Sequence, residues 1–542
     1  METILTKHKA EEQSYKIQEF KSELKQMILD KGIVFGSGLS TQKKPYKWNL
    51  DTKEILLEPR GAYLASALFM EKLRNYQVDY IGGLTLASHL IASSIVFLSS
   101  FSKSKYSGFL IRKQQKKYGM LKHIEGIIEP NSDVVIVDDV LNAAGFATKS
   151  IETVEKIGCK VKGVIVLINF QKKEYNKLIK KGYNVEQIFT LSDFGLDAKH
   201  VQAAPNMFKL AWKYGIINKG DHTAPKSTPF INENGIYVGS DQNKIISINF
   251  SGNLKWDLNT EDHPHGVHCS PVIFEGKVIC GSYNGFLYVL NEKDGTVVWM
   301  NKACDFIGSS PVIDTKTRTV YIGLENKSLQ GTMSAFDFDT GNLLWEFITN
   351  NYVHSKAEVF EDLIVFGSND FNVYCCNKND GTLIWKFLTE GEVKGSPIID
   401  AETKKVYAAS FDGNLYCLEL YSGKLLWKKK LGIVLYNNPL IYGDIVFVGS
   451  YSGQVSALDK NNGKVKWFFM TEDSILSSPI ENNGIIFIGS NDRNVYALES
   501  ESGKLLWKYK TNGFVTSSPR IYKDKLFVNS NDGNLYCFEK NE

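Results

Sequence analysis

The chain has 542 residues, enough for two or more domains, and its 43% hydrophobic and 23% charged residues are ordinary for a globular protein. The N-terminal residues are charged and no stretch reaches the roughly 18–20 apolar residues of a membrane span, which argues against a signal peptide and a membrane protein. Residues 1–200 carry 30 Lys and Arg against 22 Asp and Glu, an excess that suits either a phosphorylated ligand or a solvated basic face.

Cysteine usage indicates a reducing compartment. The eight cysteines include no CxxC pair, and Cys375 and Cys376 occupy apolar positions of a repeated strand, so we expect free thiols. The expected location is therefore the cytoplasm.

The first 100 residues predict alternating helices and strands. Residues 14–31 have apolar side chains at helical spacing, and Gly32 supplies a stop signal. A short strand that enters a glycine turn, residues 79–85, lies between helical runs at 61–75 and 86–98.

The most informative stretch of the first half begins at Val134. Four apolar β-branched residues, 134–137, predict a strand buried on both faces, as in a parallel sheet. Asp138 and Asp139 follow at its carboxyl end, where ligands bind in open α/β sheets. A turn then leads into a helix at 147–157, whose first N–H groups suit a phosphate. Adjacent acids beside that turn suit ribose hydroxyls and a metal-bound sugar phosphate.

Residues 18–194 resemble the type I phosphoribosyltransferases, and the orotate phosphoribosyltransferases in particular, through several motifs in order. These are Ile81-Gly82-Gly83-Leu84-Thr85-Leu86 for the pyrophosphate loop, Arg112-Lys113-Gln114-Gln115-Lys116-Lys117-Tyr118-Gly119 for the mobile catalytic loop, Val134 to Gly145 for the phosphoribosyl pyrophosphate motif, and Phe189-Thr190-Leu191 for the usual ending. The resemblance implies the α/β type I phosphoribosyltransferase fold.

The resemblance also implies roles for individual residues. In this family a base nitrogen displaces Mg²⁺-bound pyrophosphate, so Mg²⁺ enters with phosphoribosyl pyrophosphate and no metal ligand of the protein is assigned. Arg112, Lys113 and Lys116 would neutralise the departing pyrophosphate, often from a neighbouring subunit, which implies a homodimer. Asp138 and Asp139 would hold the ribose. The substrate-binding residues would be Gly82, Gly83, Leu84 and Thr85 at the pyrophosphate, Asn142, Ala143, Ala144, Gly145 and Phe146 at the 5′-phosphate, and Phe170 at the base.

Three departures from the family pattern bear on activity. Tyr118 stands where the catalytic loop usually has His, and Ala144 adds a methyl group where backbone must approach phosphate. Phe170 replaces an Arg that contacts orotate, and a phenyl ring offers no donors to an anionic base. We therefore expect transfer to a base other than orotate. The alternative is a catalytically degenerate sensor of a nucleotide or sugar phosphate; the pathway, salvage or defence, is left open by the sequence.

The second half is a tandem repeat. Eight Trp residues recur at spacings of 40 to 46, at 212, 256, 299, 345, 385, 427, 467 and 507. Each unit reads as four strands separated by Gly, Asn and Asp, the residues of tight turns. Eight units begin between Pro229 and Pro519, but only seven Trp strands follow them. Residues 208–215 nearly copy Gly503–Lys510, so they are predicted to supply the eighth outer strand by pairing with residues 534–538 and to close the ring.

The motifs Gly-Lys-Leu-Leu-Trp and Asp-Gly-Asn-Leu-Tyr resemble those of pyrroloquinoline-quinone-type (PQQ-type) β-propellers over residues 208–540. The prediction is an α/β domain at 1–205 followed by an all-β eight-bladed propeller at 206–542. No quinone or calcium constellation is visible, so no PQQ is expected and a quinoprotein dehydrogenase is a third, weaker hypothesis.

The loops that begin the blades are predicted to ring one mouth of the channel. Most read Ser-Ser-Pro, but His268, His354, Lys356, Lys394 and Asn437 depart from that pattern. These positions are compatible with an anion, with a peptide or protein partner, or with ordinary solvated loops. The tract His263–His268 is a candidate metal site, although it lacks Cys or acidic ligands at fixed spacing.

Overall fold

The computed structural model describes residues 16–35, 48–112, 123–126, 128–142, 145–196, 207–215, 217, 226–261 and 263–541. The chain divides into two compact units, one from residues 1–34 and 48–197 and one from residues 35–47 and 198–542. The predicted boundary between residues 205 and 206 lies outside the described residues and stays a prediction. Over the described part of the chain, no helix has the length and apolar character to cross a membrane.

The first unit is built on a six-stranded sheet, and a two-stranded sheet pairs β1 with β2. The strands are β1 (Ile33–Phe35), β2 (Trp48–Leu50), β3 (Tyr80–Gly83), β4 (Ser107–Ile111), β5 (Ile124–Gly126), β6 (Asp133–Leu141), β7 (Lys160–Asn169) and β8 (Val185–Thr190). The order in the large sheet is β5-β4-β3-β6-β7-β8, and only β5 runs antiparallel to its neighbour. Residues 134–137 are almost fully buried, which confirms the prediction of a central parallel strand.

Helices connect these strands. Helical residues 16–27 continue into a π-helical turn, Ile28–Gly32, and the later helices are α1 (Lys53–Leu56), α2 (Pro59–Leu73), α3 (Leu86–Ser99), α4 (Phe146–Glu155) and α5 (Lys173–Lys180), with a 3₁₀ turn at Leu191–Phe194. The predicted helices therefore form within a few residues of their expected bounds.

The second unit consists of eight four-stranded antiparallel sheets, the blades of a propeller. The strands of each blade are given from the innermost to the outermost. Blade 1 consists of Phe230–Asn232, Gly235–Ser240, Lys244–Ile248 and Leu254–Asn259, and blade 2 of Val272–Phe274, Lys277–Gly281, Phe286–Asn291 and Val297–Lys302. Blade 3 consists of Val312–Asp314, Thr319–Glu325, Gly331–Asp337 and Leu343–Thr349, and blade 4 of Glu358–Phe360, Leu363–Gly367, Asn372–Asn377 and Leu383–Leu388. Blade 5 consists of Ile398–Asp400, Lys405–Ala409, Asn414–Glu419 and Leu425–Lys430, and blade 6 of Leu440–Tyr442, Ile445–Gly449, Gln454–Asp459 and Val465–Met470. Blade 7 consists of Ile480–Asn482, Ile485–Gly489, Asn494–Glu499 and Leu505–Lys510, and blade 8 of Arg520–Tyr522, Lys525–Asn529, Leu535–Lys540 and Phe208–Tyr214.

The strand Phe208–Tyr214 closes the ring as predicted. It pairs antiparallel with Leu535–Lys540, and Trp212 lies opposite Cys537. Trp212 is only half-buried, whereas Trp507 is 3% exposed.

The repeated Trp residues join neighbouring blades. Each of the eight indole N–H groups donates to a backbone carbonyl of the next blade, as Trp467 does to Ser500 at 2.9 Å. The bond from Trp507 to the carbonyl of Phe208, at 3.2 Å, carries the pattern across the closure. Gly503 shows why glycine lies at these contacts, because its φ is +69° and a Cβ would stand 2.5 Å from the Trp467 ring.

Candidate functional site

The glycine turn and the acidic pair meet at one edge of the first unit's sheet. β3 and β6 are parallel neighbours, so their carboxyl ends lie side by side. The Thr85 hydroxyl donates to Oδ1 of Asp138 and accepts from the backbone N–H of Ser88 at 2.9 Å. Thr85 thus caps helix α3 and ties the predicted pyrophosphate turn to the predicted ribose site.

The glycines of that turn are required by packing. A Cβ at Gly82 would lie 2.0 Å from the carbonyl oxygen of Phe109, and one at Gly83 would lie 2.7 Å from that of Val137. The side chain of Leu84 is buried in the core. The shape of the turn is therefore fixed by backbone contact, and only its backbone and Thr85 remain for a ligand.

Asp138 and Asp139 occupy different environments, both within β6 itself. Asp138 is 4% exposed and accepts from the backbone N–H of Asp139 at 3.0 Å. Burial raises the pKa of Asp138 well above its usual value, the charge of Asp139 raises it further, and the bond from Thr85 acts the other way. Asp139 is half-exposed and accepts a hydrogen bond from the buried hydroxyl of Thr52.

The predicted phosphate cradle at the start of α4 already holds an anion of the chain. Gly145 caps the helix with φ of +73°, and its N–H donates to Oε2 of Glu174 at 2.8 Å. The N–H and hydroxyl of Thr148 donate to Oε1 of Glu174 at 3.3 and 3.2 Å. Glu174, from the first turn of α5, is only 5% exposed. A carboxylate at a helix N-terminus is favourable for the same reason that a phosphate is.

The remaining residues of the predicted cradle are less informative. Asn142 follows β6 and is half-buried, and the Phe146 ring is 40% exposed at the first position of α4. Ala143 and Ala144 lie outside the described residues.

An aromatic pair occupies the predicted base position. The rings of Phe170 and Trp48 lie 5.9 Å apart at a tilted angle. The ammonium of Lys172 stands 5.2 Å from the centre of the Phe170 ring, within reach of a cation–π contact. The position therefore offers flat apolar surface with one exposed cation beside it.

Of the three predicted cations, only Arg112 lies in the described part of the chain. Its Nε is 2.7 Å from Oε1 of Glu125, in a partly exposed ion pair across β4 and β5. Lys113 and Lys116 lie outside the described residues.

Four residues of this site were not singled out by the sequence: Thr52, Trp48, Glu174 and Lys172. Thr52 reaches Asp139 across 87 residues of chain, and Glu174 reaches Gly145 across 29. No local motif signals either contact. In the part of the chain that the structure describes, no group of three or more His, Cys, Asp or Glu side chains is placed to hold a metal ion.

Comparison with curated proteins assigns relatives to the first unit. The chain is 29% identical to orotate phosphoribosyltransferase of Aquifex aeolicus over 147 residues, which are 27% of this chain and 80% of the relative. It is 30% identical to that of Rhodopirellula baltica over 160 residues, 28% of this chain and 83% of the relative. It is 37% identical to that of Rhodopseudomonas palustris strain BisB18 over 142 residues, 25% and 73% respectively.

The second unit matches propeller families. Residues 327–542 match the model "Beta-alanine-activating enzyme, beta-propeller", and residues 209–352 match "Outer membrane protein assembly factor BamB". The solved BamB of Moraxella catarrhalis superimposes with a TM-score of 0.51 at 17% identity, over 61% of this chain and 97% of BamB. A quinohemoprotein alcohol dehydrogenase of Pseudomonas putida gives 0.52 at 13% identity, over 62% of this chain and 76% of that one. At such identities these structures show the fold alone.

Proposed function

Because its N-terminal part belongs to the orotate phosphoribosyltransferase family, we propose that this chain binds phosphoribosyl pyrophosphate and transfers ribose phosphate to a base other than orotate. The observation that carries the proposal is the meeting of the Asp138–Asp139 pair with the glycine turn at one sheet edge. Ribose hydroxyls would donate to the carboxylates, and the pyrophosphate would lie against the turn.

The proposed reaction exchanges one bond at ribose C1 for another. The bond from C1 to the pyrophosphate oxygen breaks, and a bond from C1 to a base nitrogen forms, while the nitrogen loses its proton to solvent. Negative charge builds on the departing pyrophosphate, so Arg112, Lys113 and Lys116 are the cations proposed to stabilise it. Mg²⁺ would supply further neutralisation when bound. The hard oxygen of half-exposed Asp139 fits that ion, whose other ligands would be substrate oxygens and water.

The base position supports a neutral aromatic base. Phe170 and Trp48 offer stacking surface, and neither ring supplies the paired donors that an orotate carboxylate needs. Lys172 offers a single exposed cation in their place. We propose that the site discriminates against orotate because the orotate carboxylate finds no paired hydrogen-bond donors there.

Location and assembly are part of the same proposal. We propose a cytoplasmic homodimer that pairs through the first unit. The free cysteines of the described residues are compatible with a reducing compartment.

A screen of bases with phosphoribosyl pyrophosphate, read as pyrophosphate release, tests the transfer reaction. We expect release with at least one neutral base and little with orotate. The variant carrying Asp138→Asn and Asp139→Asn should bind no phosphoribosyl pyrophosphate in calorimetry, whereas Asp79→Asn, an exposed acid at the other end of β3, should bind normally. Undiminished affinity of the double variant would refute the ribose assignment, and ordinary turnover of orotate would refute the choice of base.

Glu174 favours a second function, that of a binding protein without turnover. Its carboxylate uses N–H donors that a 5′-phosphate would need, so the substrate must displace a buried, hydrogen-bonded anion. A site that binds weakly and does not turn over suits a sensor of a nucleotide or sugar phosphate.

The substitution Glu174→Ala separates the two functions. It frees three donors, so we expect the affinity for phosphoribosyl pyrophosphate to rise about tenfold or more while unfolding becomes easier by about 1–3 kcal/mol. Glu152→Ala, on the exposed face of α4, is the matched control and should change neither. Turnover that appears only in Glu174→Ala would favour the sensor; turnover in the unmodified protein that is unaffected by the change would favour the enzyme.

A further inference from the structure

The channel of the propeller is lined by a ring of equivalent residues, one from each blade, located two positions before the innermost strand of that blade. Six of them carry a hydroxyl group: Thr228, Ser270, Ser310, Ser396, Ser478 and Ser518. The other two are Asn438 and Lys356. All eight border one cavity of about 420 Å³.

Hydrogen bonds link this ring from blade to blade. In seven of the eight steps the backbone N–H of one member donates to the side-chain oxygen of the next, at 2.7 to 3.2 Å. The eighth step falls at Lys356, whose ammonium has no acceptor to offer. The ring is thus built by one repeated contact and interrupted by one cation.

These bonds leave the channel rich in donors. Each hydroxyl accepts from a backbone N–H and keeps its own O–H proton, and within the described residues none of the six donates to a protein acceptor. Asn437 adds a buried amide Nδ2 that has no acceptor in the described part of the chain. A ligand that satisfies this lining must supply acceptor oxygens.

Two cations that face the same cavity have no ion-pair partner among the residues that the structure describes. Lys356 belongs to blade 4 and Arg520 to blade 8, which are opposite each other in an eight-bladed ring. Neither has a carboxylate within 4.0 Å among the described residues, although Glu358 is close enough to favour the charged form of Lys356. Desolvation lowers the pKa of Lys356 and the pKa of Arg520, and each charge lacks full compensation.

Three other basic groups of the cavity wall, Lys226, Lys394 and His354, are each close to a carboxylate. Lys226 is 2.9 Å from Asp241, Lys394 is 2.8 Å from Glu392, and the His354 ring is 3.0 Å from Glu325. Among the Lys and Arg side chains of this cavity that the structure describes, Lys356 and Arg520 are therefore the ones available to a ligand.

We propose that the propeller channel binds a small organic anion, whose phosphate or carboxylate oxygens lie between Lys356 and Arg520 and accept from the hydroxyl ring. The cavity is of the size that holds small molecules, which favours a metabolite over a polypeptide. This site is independent of the phosphoribosyl pyrophosphate site proposed above, and its ligand class, small di- or tricarboxylates or phosphate esters, does not require a quinone.

Calorimetry on the full chain with citrate and with pyrophosphate tests the proposal. We expect saturable binding of at least one probe, weakened about tenfold or more by Lys356→Gln and by Arg520→Gln, and weakened by added salt. Lys508→Gln, on the exposed outer strand of blade 7, is the matched control and should leave affinity unchanged. Arg520→Lys keeps the charge and should retain most of the affinity.

Two results would overturn the proposal. One is the absence of binding by either probe to the unmodified protein at concentrations up to about 10 mM. The other is binding that survives both Lys356→Gln and Arg520→Gln, which would place the anion elsewhere, including the first unit. The melting temperature of Arg520→Gln should equal or exceed that of the parent, because the change removes one of two like charges. Lys356→Gln also removes the cation near Glu358, so its stability is compared with that of Lys356→Arg. A variant that melts lower than the parent is replaced by Arg520→Lys with Lys356→Arg, which must still bind.

Discussion

Asp138 is a carboxyl group that the folded protein holds against its tendency to ionise. It is buried and adjoins a second carboxylate, and these two effects outweigh the hydrogen bonds that its Oδ1 accepts from Thr85 and from a backbone N–H, which favour the ionised form. Both burial and Asp139 raise its pKa from the ordinary 3.8. The folded state therefore binds this proton more tightly than the unfolded chain does. The free energy of unfolding falls as pH rises from the unfolded-state pKa of Asp138 to its higher folded-state pKa.

The substitution Asp138→Asn should therefore stabilise the first unit in a pH-dependent way. Asn keeps an oxygen that accepts from Thr85 and does not ionise. Relative to the parent, its free energy of unfolding should rise with pH above 3.8 by about 1.4 kcal/mol for each unit of pKa displacement, then level off. Urea denaturation between about pH 4 and pH 8 measures this. The free energy of unfolding of the control Asp79→Asn should change with pH as that of the parent does. If the free energy of unfolding of Asp138→Asn also follows the parent, the pKa of the Asp138 carboxyl is not raised in the folded protein.

The closing strand is the element on which the propeller depends. Without residues 208–214, the strand Leu535–Lys540 would be an open edge and Trp507 would lose both the carbonyl and the ring contact of Phe208.

A chain beginning at Asn206 should therefore give a soluble propeller, and one beginning near residue 220 should aggregate or melt lower. Trp507→Ala should cost about 3–5 kcal/mol, as for a buried aromatic, and Trp212→Ala should cost less because Trp212 is half-buried. Thermal denaturation and light scattering measure both. Equal melting temperatures for the two truncations would show that the strand contributes nothing to closure.

Elements with a strong period were predictable from sequence, and contacts between distant elements were not. The Trp spacing and the copy of Gly503–Lys510 at 208–215 identified the blades and their closure, because each blade repeats the same local pattern. The run of β-branched residues at 134–137 identified the central strand, because such a run is itself a local signal of a strand buried on both faces. Glu174 gave no such signal: an isolated acid in a Lys-rich helix becomes meaningful only when folding brings it to the N-terminus of α4.

At the scale of the molecule, the division into two compact units predicts two unfolding transitions, each of which responds to its own ligand. A ligand that binds one folded unit raises that unit's unfolding transition, by about 2.7 kcal/mol at a hundredfold excess over Kd. Phosphoribosyl pyrophosphate should therefore raise one transition in differential scanning calorimetry, and citrate should raise the other. If one ligand raises both transitions equally, the units unfold together and the assignment of separate sites loses its support.

The closure of the ring also determines how long the first strand remains unpaired while the chain is being synthesised. Trp507 lies 299 residues after Phe208, to which it bonds across the seam, so a ribosome working at about 5–20 residues per second needs about 15–60 s to deliver this contact. The strand Leu535–Lys540, which pairs with residues 208–214, is synthesised later still. During that interval the strand 208–214 carries unpaired backbone groups and an uncovered Trp212, and seven blades accumulate behind it. The nascent chain is thus vulnerable to pairing with other nascent chains, and its yield in cells should depend on chaperone supply more than its final stability suggests.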